Sequence, residues 1–382
     1  MPRFRVSSLH VFVAIILCGP FVGGREPEPP KPVWRTDLQQ VGFFPAQGFQ
    51  VYAGRHWMVS EIGADSVAFG RGDRIAVAFL NEEFGREGRP TAGLPPELHL
   101  VMLDSATGRI VDNRAWPVPR PDLQSTSVGA TQEGNYLVLQ GDGLHMYSPG
   151  FQELAKFDIP PDPANSGSRW SLLVPPDGRV VFLEHYLKGS YTLHMLSAAT
   201  LHEVRSWDKT ERIDAASARY LATSGKDRIL YIRGLDTSWR PIADFSGCPG
   251  PRTRNAARFA TENSLVMGGC GRLQLMTIDG MVLFTTGPAK GHLPAGAWGA
   301  LGGRFLAVAT NRMKGVTVQL LDMYRHAEPW RVLVYDTKTG DIVIAPKFTW
   351  PLGCAFAPDS SALALLSGGV VELYRLPQSN SK

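Results

Sequence analysis

The sequence predicts an all-β chain built from seven repeats of one four-stranded unit, and three observations predict it. Helical periodicity is scarce beyond residue 24, whereas short apolar runs bounded by Gly, Asp, Asn and Pro recur throughout. Aligning the turn before each strongest run gives seven copies: "RGDRIAVAF", "EGNYLVLQ", "PDGRVVFLE", "SARYLATS", "ENSLVMGG", "GGRFLAVAT" and "PDSSALALLS". Anchored on Asp73, Gly134, Gly178, Arg219, Asn263, Gly303 and Asp359, they are spaced by 61, 44, 41, 44, 40 and 56 residues. A second register follows the first, in segments such as "VMLDSATGRIV", "HMLSAATLHEV" and "LVYDTKTGDIV", each reading as strand, turn, strand. At 382 residues the chain exceeds the roughly 250–300 residues that a single hydrophobic core serves, which repeated units would resolve. A period of this size with four strands per unit is that of a β-propeller blade, because one such sheet cannot bury both faces until neighbours stack around a ring.

The elements follow in chain order. Residues 1–24 read as an export signal: Arg3 and Arg5 give a positive start, Leu9 to Cys18 an apolar stretch, and Val22 and Gly24 the small residues before a cut. That stretch is well short of the roughly 20 apolar residues of a membrane-spanning helix. Cleavage after Gly24 is therefore expected, with a secreted or periplasmic destination and no membrane span afterwards. Leu17, which precedes Cys18, does not fit a lipid-attachment site. Residues 25–32, "REPEPPKP", are too rich in proline to join a sheet and read as a short tether. The propeller is expected over 33–377 and a tail over 378–382. Its last copy, "GCAFAPDSSALALLSGGVVELYRLP", supplies only three strands. The fourth is expected from Val33 to Val41, because an unpaired sheet edge is a liability. Residues 43–62 fit no unit and leave six or eight blades as the alternative count.

The "LDSATGR" and "YDTKTGD" turns, taken with the period, resemble those of bacterial secreted propellers with WD-repeat-like or YVTN-like blades. The resemblance spans roughly residues 33–377 and lacks a WD dipeptide. It implies that the innermost strand of each blade lines the axis. It also implies that second-to-third connections and the links between blades share one face. On that rule the two long spacings are insertions between second and third strands of the first and sixth blades, 81–97 and 311–330, projecting from one face. The second carries Leu320, Leu321, Met323, Tyr324 and Trp330, enough apolar surface to dock. Cys248 and Cys270 fall on the same face as a candidate disulfide, with two free buried thiols as the alternative. Cys354 reads as a small buried residue.

Formal charge is +4, and +2 once Arg3 and Arg5 leave with the signal, which implies no nucleic-acid partner. No HExxH, paired CxxC or EF-hand loop is present, nor a GxSxG elbow, so no metal site is expected and no cofactor is evident. "PPDGRVVF" keeps only the Asp-Gly core of the repeated Ser-x-Asp-x-Gly box of bacterial sialidases. Trp116 follows Gly108 too late for the blade turn of quinone-dependent dehydrogenases. His99, His145 and His194 each follow Leu in a third strand of blades one to three. Third strands lie about 10 Å outside the innermost ones, so these rings fan apart instead of meeting at an ion and read as packed or hydrogen-bonded between blades. Arg71-Gly72-Asp73 reads as turn chemistry. Glu82, Glu83 and Glu87, flanked by Arg86 and Arg89, read as a solvated loop. Trp116, Trp207 and Trp350 read as sheet packing.

The expected binding site is the channel mouth on the face carrying the insertions. Asp65, Arg169, Trp170, Asp214, Arg258 and Trp298 stand at or just before innermost strands, overhung by Arg325 and His326. Arg supplies bidentate anion recognition and Trp a stacking face, a pairing suited to an acidic sugar, a carboxylate or a peptide end. Nothing in the blades activates water or a nucleophile. The leading expectation is therefore a noncatalytic scaffold, with an unidentified protein or a small anionic or carbohydrate ligand as partner. The alternative is a propeller hydrolase or lyase resembling metal-dependent lactonases or glycan-degrading propellers, with the same mouth as active site.

Overall fold

The computed structural model describes residues 30–43, 50–52, 55–57, 66–70, 73–81, 97–117, 127–140, 142–160, 169–209, 211–225, 229–244, 246, 257–269, 272–286, 292–299, 304–312, 330–348, 352–367 and 369–378. Short β-branched and aliphatic runs broken by Asp, Gly and Pro turns fold into seven antiparallel meanders. Blade 1 is Val67–Phe69, Arg74–Asn81, Glu97–Asp104 and Ile110–Pro117; blade 2 is Ser127–Ala130, Tyr136–Gln140, Gly143–Tyr147 and Glu153–Asp158. Blade 3 is Arg169–Leu173, Val180–Leu187, Ser190–Ser197 and Glu203–Lys209; blade 4 is Ala215–Ala216, Tyr220–Ser224, Ile229–Gly234 and Arg240–Asp244. Blade 5 is Ala257–Thr261, Ser264–Gly269, Arg272–Thr277 and Val282–Thr286. Blade 6 is His292–Gly299, Phe305–Arg312 and Trp330–Asp336, with the outer position shared by Ile342–Ile344 and Lys347–Phe348.

Blade 7 has three strands of its own, Leu352–Phe356, Ala362–Ser367 and Val370–Arg375. Its fourth is Trp34–Asp37 from the other end of the chain, in antiparallel register from Trp34 opposite Leu373 to Asp37 opposite Val370. The donor strand also grips blade 1. Trp34 Nε1 donates to Ser105 O at 2.7 Å and Thr36 Oγ1 donates to Gly108 O at 2.6 Å. Gly108 stands at φ +70° with its missing side chain directed at the Trp34 ring, where a Cβ would lie 2.4 Å from Cε3. Only glycine meets both demands.

First strands of neighbouring blades touch one another and surround the axis. The apolar interior is divided accordingly into seven clusters, one per seam between blades. Phe305, Val334 and Leu365 fill the seam of blades 6 and 7, and Leu38, Val77, Phe79 and Leu366 that of blades 7 and 1. Tyr136 and Tyr147 meet Leu98 and Leu100 between blades 1 and 2, and Leu139 meets Leu183 between blades 2 and 3. Phe182 meets Leu221, Ile232 meets Met267, and Val266 meets Val308 across the next three seams. Seven small cores in a closed ring explain how the chain outgrows the one-core limit.

The ring has seven blades, not six or eight. Within the unassigned segment 43–62, Gln50–Tyr52 pairs with Arg55–Trp57 as a separate two-stranded sheet outside the blades. Strand alternation puts every first-to-second turn on one face and every second-to-third connection on the other. Blade 1 runs from Asn81 to Glu97 and blade 6 from Arg312 to Trp330 across second-to-third connections, so both insertions leave from the same face. Their interiors, 82–96 and 313–329, lie outside the described residues, as do residues 1–29.

Candidate functional site

The innermost strands of blades 1 to 5 and 7 line a central cavity of about 380 Å³. Its walls are apolar and mostly narrow-bodied: Ala68, Gly129, Ala215 and Ala355 leave the space open, and Phe69, Phe259 and Phe356 give it aromatic surface. Thr131 and Gln132 of blade 2, Pro176 and Asp177 of blade 3, and Pro358 of blade 7 form its rim. These are first-to-second turn residues, so this rim lies on the face opposite the insertions.

Two of the residues expected at the channel lie on its wall, Asp214 and Arg258. Asp214 directly precedes the short inner strand of blade 4, and its Oδ2 accepts the Ser224 backbone N–H at 2.7 Å as well as the Ser224 hydroxyl. Arg258 is the second residue of the inner strand of blade 5 and is partly buried. Its positive charge is felt at Cys354 of blade 7, two blades away, whose thiol is pushed up by complete burial and only partly relieved by that arginine. Cys354 is a free, buried thiol, as its small size suggests.

Trp170 sits elsewhere. It is 8% exposed and packs in the seam of blades 2 and 3, where its ring stacks on His185 with centroids 4.1 Å apart. An inner strand of a propeller has neighbours on both sides, and this side chain faces the adjacent blade instead of the channel. Arg169 and Trp298 are placed as backbone only, opposite Tyr186 and Ala307. Asp65, Arg325, His326, Cys248 and Cys270 lie outside the described residues.

The rim contains an acidic residue, Asp177, that its sequence context does not mark as a site. Asp177 Oδ1 accepts the Arg179 N–H at 3.1 Å, and Arg179 Nε lies 3.9 Å from its Oδ2 while donating to Gln132 of the next blade at 3.2 Å. Glu262, in the matching turn of blade 5, accepts the Ala218 N–H at 3.3 Å. Burial raises the pKa of Glu262 and the Asp177 charge raises it further, against opposing contributions from the Ala218 N–H, the Ser217 hydroxyl and Arg219. The turn "PPDG" was visible as a repeat anchor, yet Asp-Gly is ordinary turn chemistry and gives no signal of position on the axis.

The three third-strand histidines stay apart, each bonded within its own blade. His99 contacts Asn113 and Glu97 at 3.0 Å each, His145 contacts Glu153 at 3.2 Å and Asp142 at 3.1 Å, and His194 contacts Glu203. Trp116 lies under Arg114 and against Tyr147 in the seam of blades 1 and 2, and Trp207 under Arg205 in that of blades 3 and 4. Trp350 is outside the described residues. Among the described residues no three His, Cys, Asp or Glu side chains converge as metal ligands, and no helix is long and apolar enough to cross a membrane.

No family model matches the chain, and no curated protein matches it. Among solved structures, a chain from "Crystal Structure of Mitotic Checkpoint Complex" superposes with a TM-score of 0.54 at 12% identity, covering 93% of this chain and 98% of that one. A structure of Kluyvelomyces marxianus Hsv2 gives a TM-score of 0.42 at 11% identity, covering 67% of this chain and 73% of that one. Likeness at this identity carries the fold alone, that of a seven-bladed β-propeller.

Proposed function

We propose that the protein is an exported, noncatalytic binding scaffold that holds a protein or a small anionic or carbohydrate ligand at its central channel. The observation that carries this reading is the cavity itself, about 380 Å³ of mostly apolar wall with Asp214 and Arg258 placed on it by adjacent blades. Ligand sites of this size are typically concave and apolar with a few oriented polar groups. The seven seams make the surrounding ring stiff, which limits the ordering that binding requires. The fold itself is neutral between a scaffold and an enzyme.

Elemental analysis of the exported chain, purified without chelators or a histidine tag, tests the noncatalytic part. About one calcium or zinc ion per chain would replace it with a metal-dependent lactonase-like or glycan-degrading enzyme, since such an ion polarises a carbonyl or activates water. Absence of stoichiometric metal is the result expected of a scaffold. Export rests on residues 1–24, and the bacterial YVTN-like origin on the "LDSATGR" and "YDTKTGD" turns. N-terminal sequencing of the exported protein should begin at Arg25; a sequence beginning at Met1 would overturn cleavage.

A further inference from the structure

The outermost strand of a blade has a free edge of N–H and C=O groups, and folded chains blunt such edges with charge or proline. Six blades of this ring do so. The outer strands of blades 1 to 4 and 7 read "IVDNRAWP", "ELAKFD", "EVRSWDK", "RPIAD" and "WRTD", and the outer position of blade 6 contains Pro346 and Lys347. The outer strand of blade 5, Val282–Thr286, reads "VLFTT" and has neither. It pairs with Arg272–Thr277 on one side and, among the described residues, with no strand on the other. Met281, Val282 and Leu283 stand in succession and are 61%, 47% and 50% exposed. A run of three exposed apolar residues is unfavourable in water unless another surface covers it. Backbone geometry does not cause this exposure, because the outer ladders of blades 1 to 6 all carry a bulge next to their turns. Blades 2 and 3 expose a single apolar residue there, Leu154 beside Glu153 and Val204 between Glu203 and Arg205.

We propose that the outer edge of blade 5 docks a second copy of this chain, the two Val282–Thr286 strands pairing antiparallel about a two-fold axis. Charge selects the occupant. A strand laid on this edge loses its water against Met281, Val282 and Leu283, and a charged one would leave its charges unpaired there. Of the seven outer edges in the ring, that of blade 5 brings no charge to such a contact, so the strand fits itself. Val, Leu, Phe and Thr are also favourable neighbours across a ladder. Antiparallel pairing of identical strands is isologous, so the contact closes at two copies. A contact one strand wide is small beside the roughly 800 Å² per partner of a standard interface, so the pair should be weak, with a Kd of about 10–100 μM.

The test is sedimentation equilibrium of the purified chain from well below to well above that Kd, with reductant present so that thiol cross-links do not contribute. Monomer should convert to dimer and to nothing larger. Leu283→Lys should weaken association about tenfold or more, because it sets an ammonium against apolar side chains. Leu154→Lys and Val204→Lys, the same change at exposed apolar positions of blades 2 and 3, should leave association unaltered. A mixture of Leu283→Lys and Leu283→Glu chains should associate more tightly than either variant alone, which only contact between two copies of this edge explains. A monomer at every concentration overturns the proposal, and so does a dimer that Leu283→Lys leaves intact or that the two control substitutions weaken equally. A monomer that binds a foreign uncharged strand peptide, with binding lost in Leu283→Lys, would reassign the edge to another protein and overturn self-pairing. Leu283 is half-exposed in the single chain, so an unchanged melting temperature of the dilute variant separates lost pairing from lost folding.

Discussion

A chain that begins at Gly42 lacks the strand that closes the ring. Besides the ladder to Val370–Arg375, it loses Val33 N–H to Leu373 O at 2.7 Å, Leu38 N–H to Gly369 O at 2.9 Å, and the Trp34 and Thr36 bonds to blade 1. At about 1 kcal/mol net apiece, these four named bonds contribute about 4 kcal/mol. Leu38 is fully buried in the seam of blades 7 and 1, and re-exposing it adds about 2 kcal/mol. About 6 kcal/mol is comparable to the whole stability of many domains. At roughly 2 °C per kcal/mol for a chain of this size, the melting temperature should fall by on the order of 10 °C. Thermal unfolding followed by circular dichroism reads this directly, and an unchanged melting temperature refutes the closure. Gly108→Ala isolates the same contact: its Cβ would meet the Trp34 ring at 2.4 Å while φ stays at +70°. The clash adds about 1–3 kcal/mol to about 1 kcal/mol of left-handed strain. In a Trp34→Ala background the contact with the ring is gone, while the strain and the 2.8 Å approach of the Cβ to Thr36 Oγ1 remain, so a double-mutant cycle should show coupling of about 1–2 kcal/mol. Additive effects would mean that Gly108 and Trp34 do not hold each other.

Three further outcomes follow from other seams and turns. Glu184 and Lys209 form an ion pair with side chains 4% and 5% exposed, and Ile213 N–H also donates to Glu184 at 2.8 Å. Lys209→Met should lose about 3–5 kcal/mol by leaving the carboxylate buried alone, while Glu184→Gln with Lys209→Met recovers most of it; urea unfolding that ranks the double variant lowest refutes this. Ser66 is 1% exposed and its hydroxyl has no partner among the described residues, so Ser66→Ala should gain about 1 kcal/mol, and a measured loss would show that the hydroxyl is satisfied. Asp104 is held below its ordinary value of 3.8 by the Thr107 hydroxyl and N–H. A depressed carboxylate stabilises the fold above its unfolded value and stops doing so as pH falls through the folded one, so Asp104→Asn should flatten the acid limb of stability below about pH 4; an unaltered limb counts against it.

What was legible follows from what repeats. Six described anchors, Asp73, Gly134, Gly178, Arg219, Asn263 and Asp359, all fall between the first and second strands of their blades, because every blade must turn there. The missing strand was visible as a count of three in the last copy, and its donor, Val33 to Val41, from the unpaired edge that this count leaves. Orientation around the axis was not legible. Trp170 and Arg258 both stand on inner strands, yet one stacks on His185 in a seam and the other lines the cavity. In an ordinary half-exposed sheet, alternation separates buried from exposed positions. In a blade both sheet faces meet neighbours, so alternation separates one seam from the next and leaves the channel unmarked. The rim at Gln132 and Asp177 was hidden for a second reason, that its residues are those any tight turn uses.

The clasp and the channel share one seam, which links the two halves of the structure in a testable way. Blade 7 contributes Ala355, Phe356 and Pro358 to the cavity wall and blade 1 contributes Val67, Ala68 and Phe69. The two inner strands approach so closely that a Cβ on Gly353 would lie 2.0 Å from Ser66 Oγ. A ligand that binds only the closed ring adds about 2.7 kcal/mol at about a hundredfold excess over its Kd. Were the clasp to fray by itself, Gly108→Ala would leave part of the population open, and apparent affinity would fall by the open fraction. But the clasp contributes Leu38 to the same cluster as Val77, Phe79 and Leu366, so opening it exposes the core of the seam. Fraying and global unfolding should therefore be one cooperative event, and thermal unfolding of Gly108→Ala should show a single transition that coincides by circular dichroism and by tryptophan fluorescence. Two separated transitions in the variant would show that the ring opens at blade 7 before its blades melt.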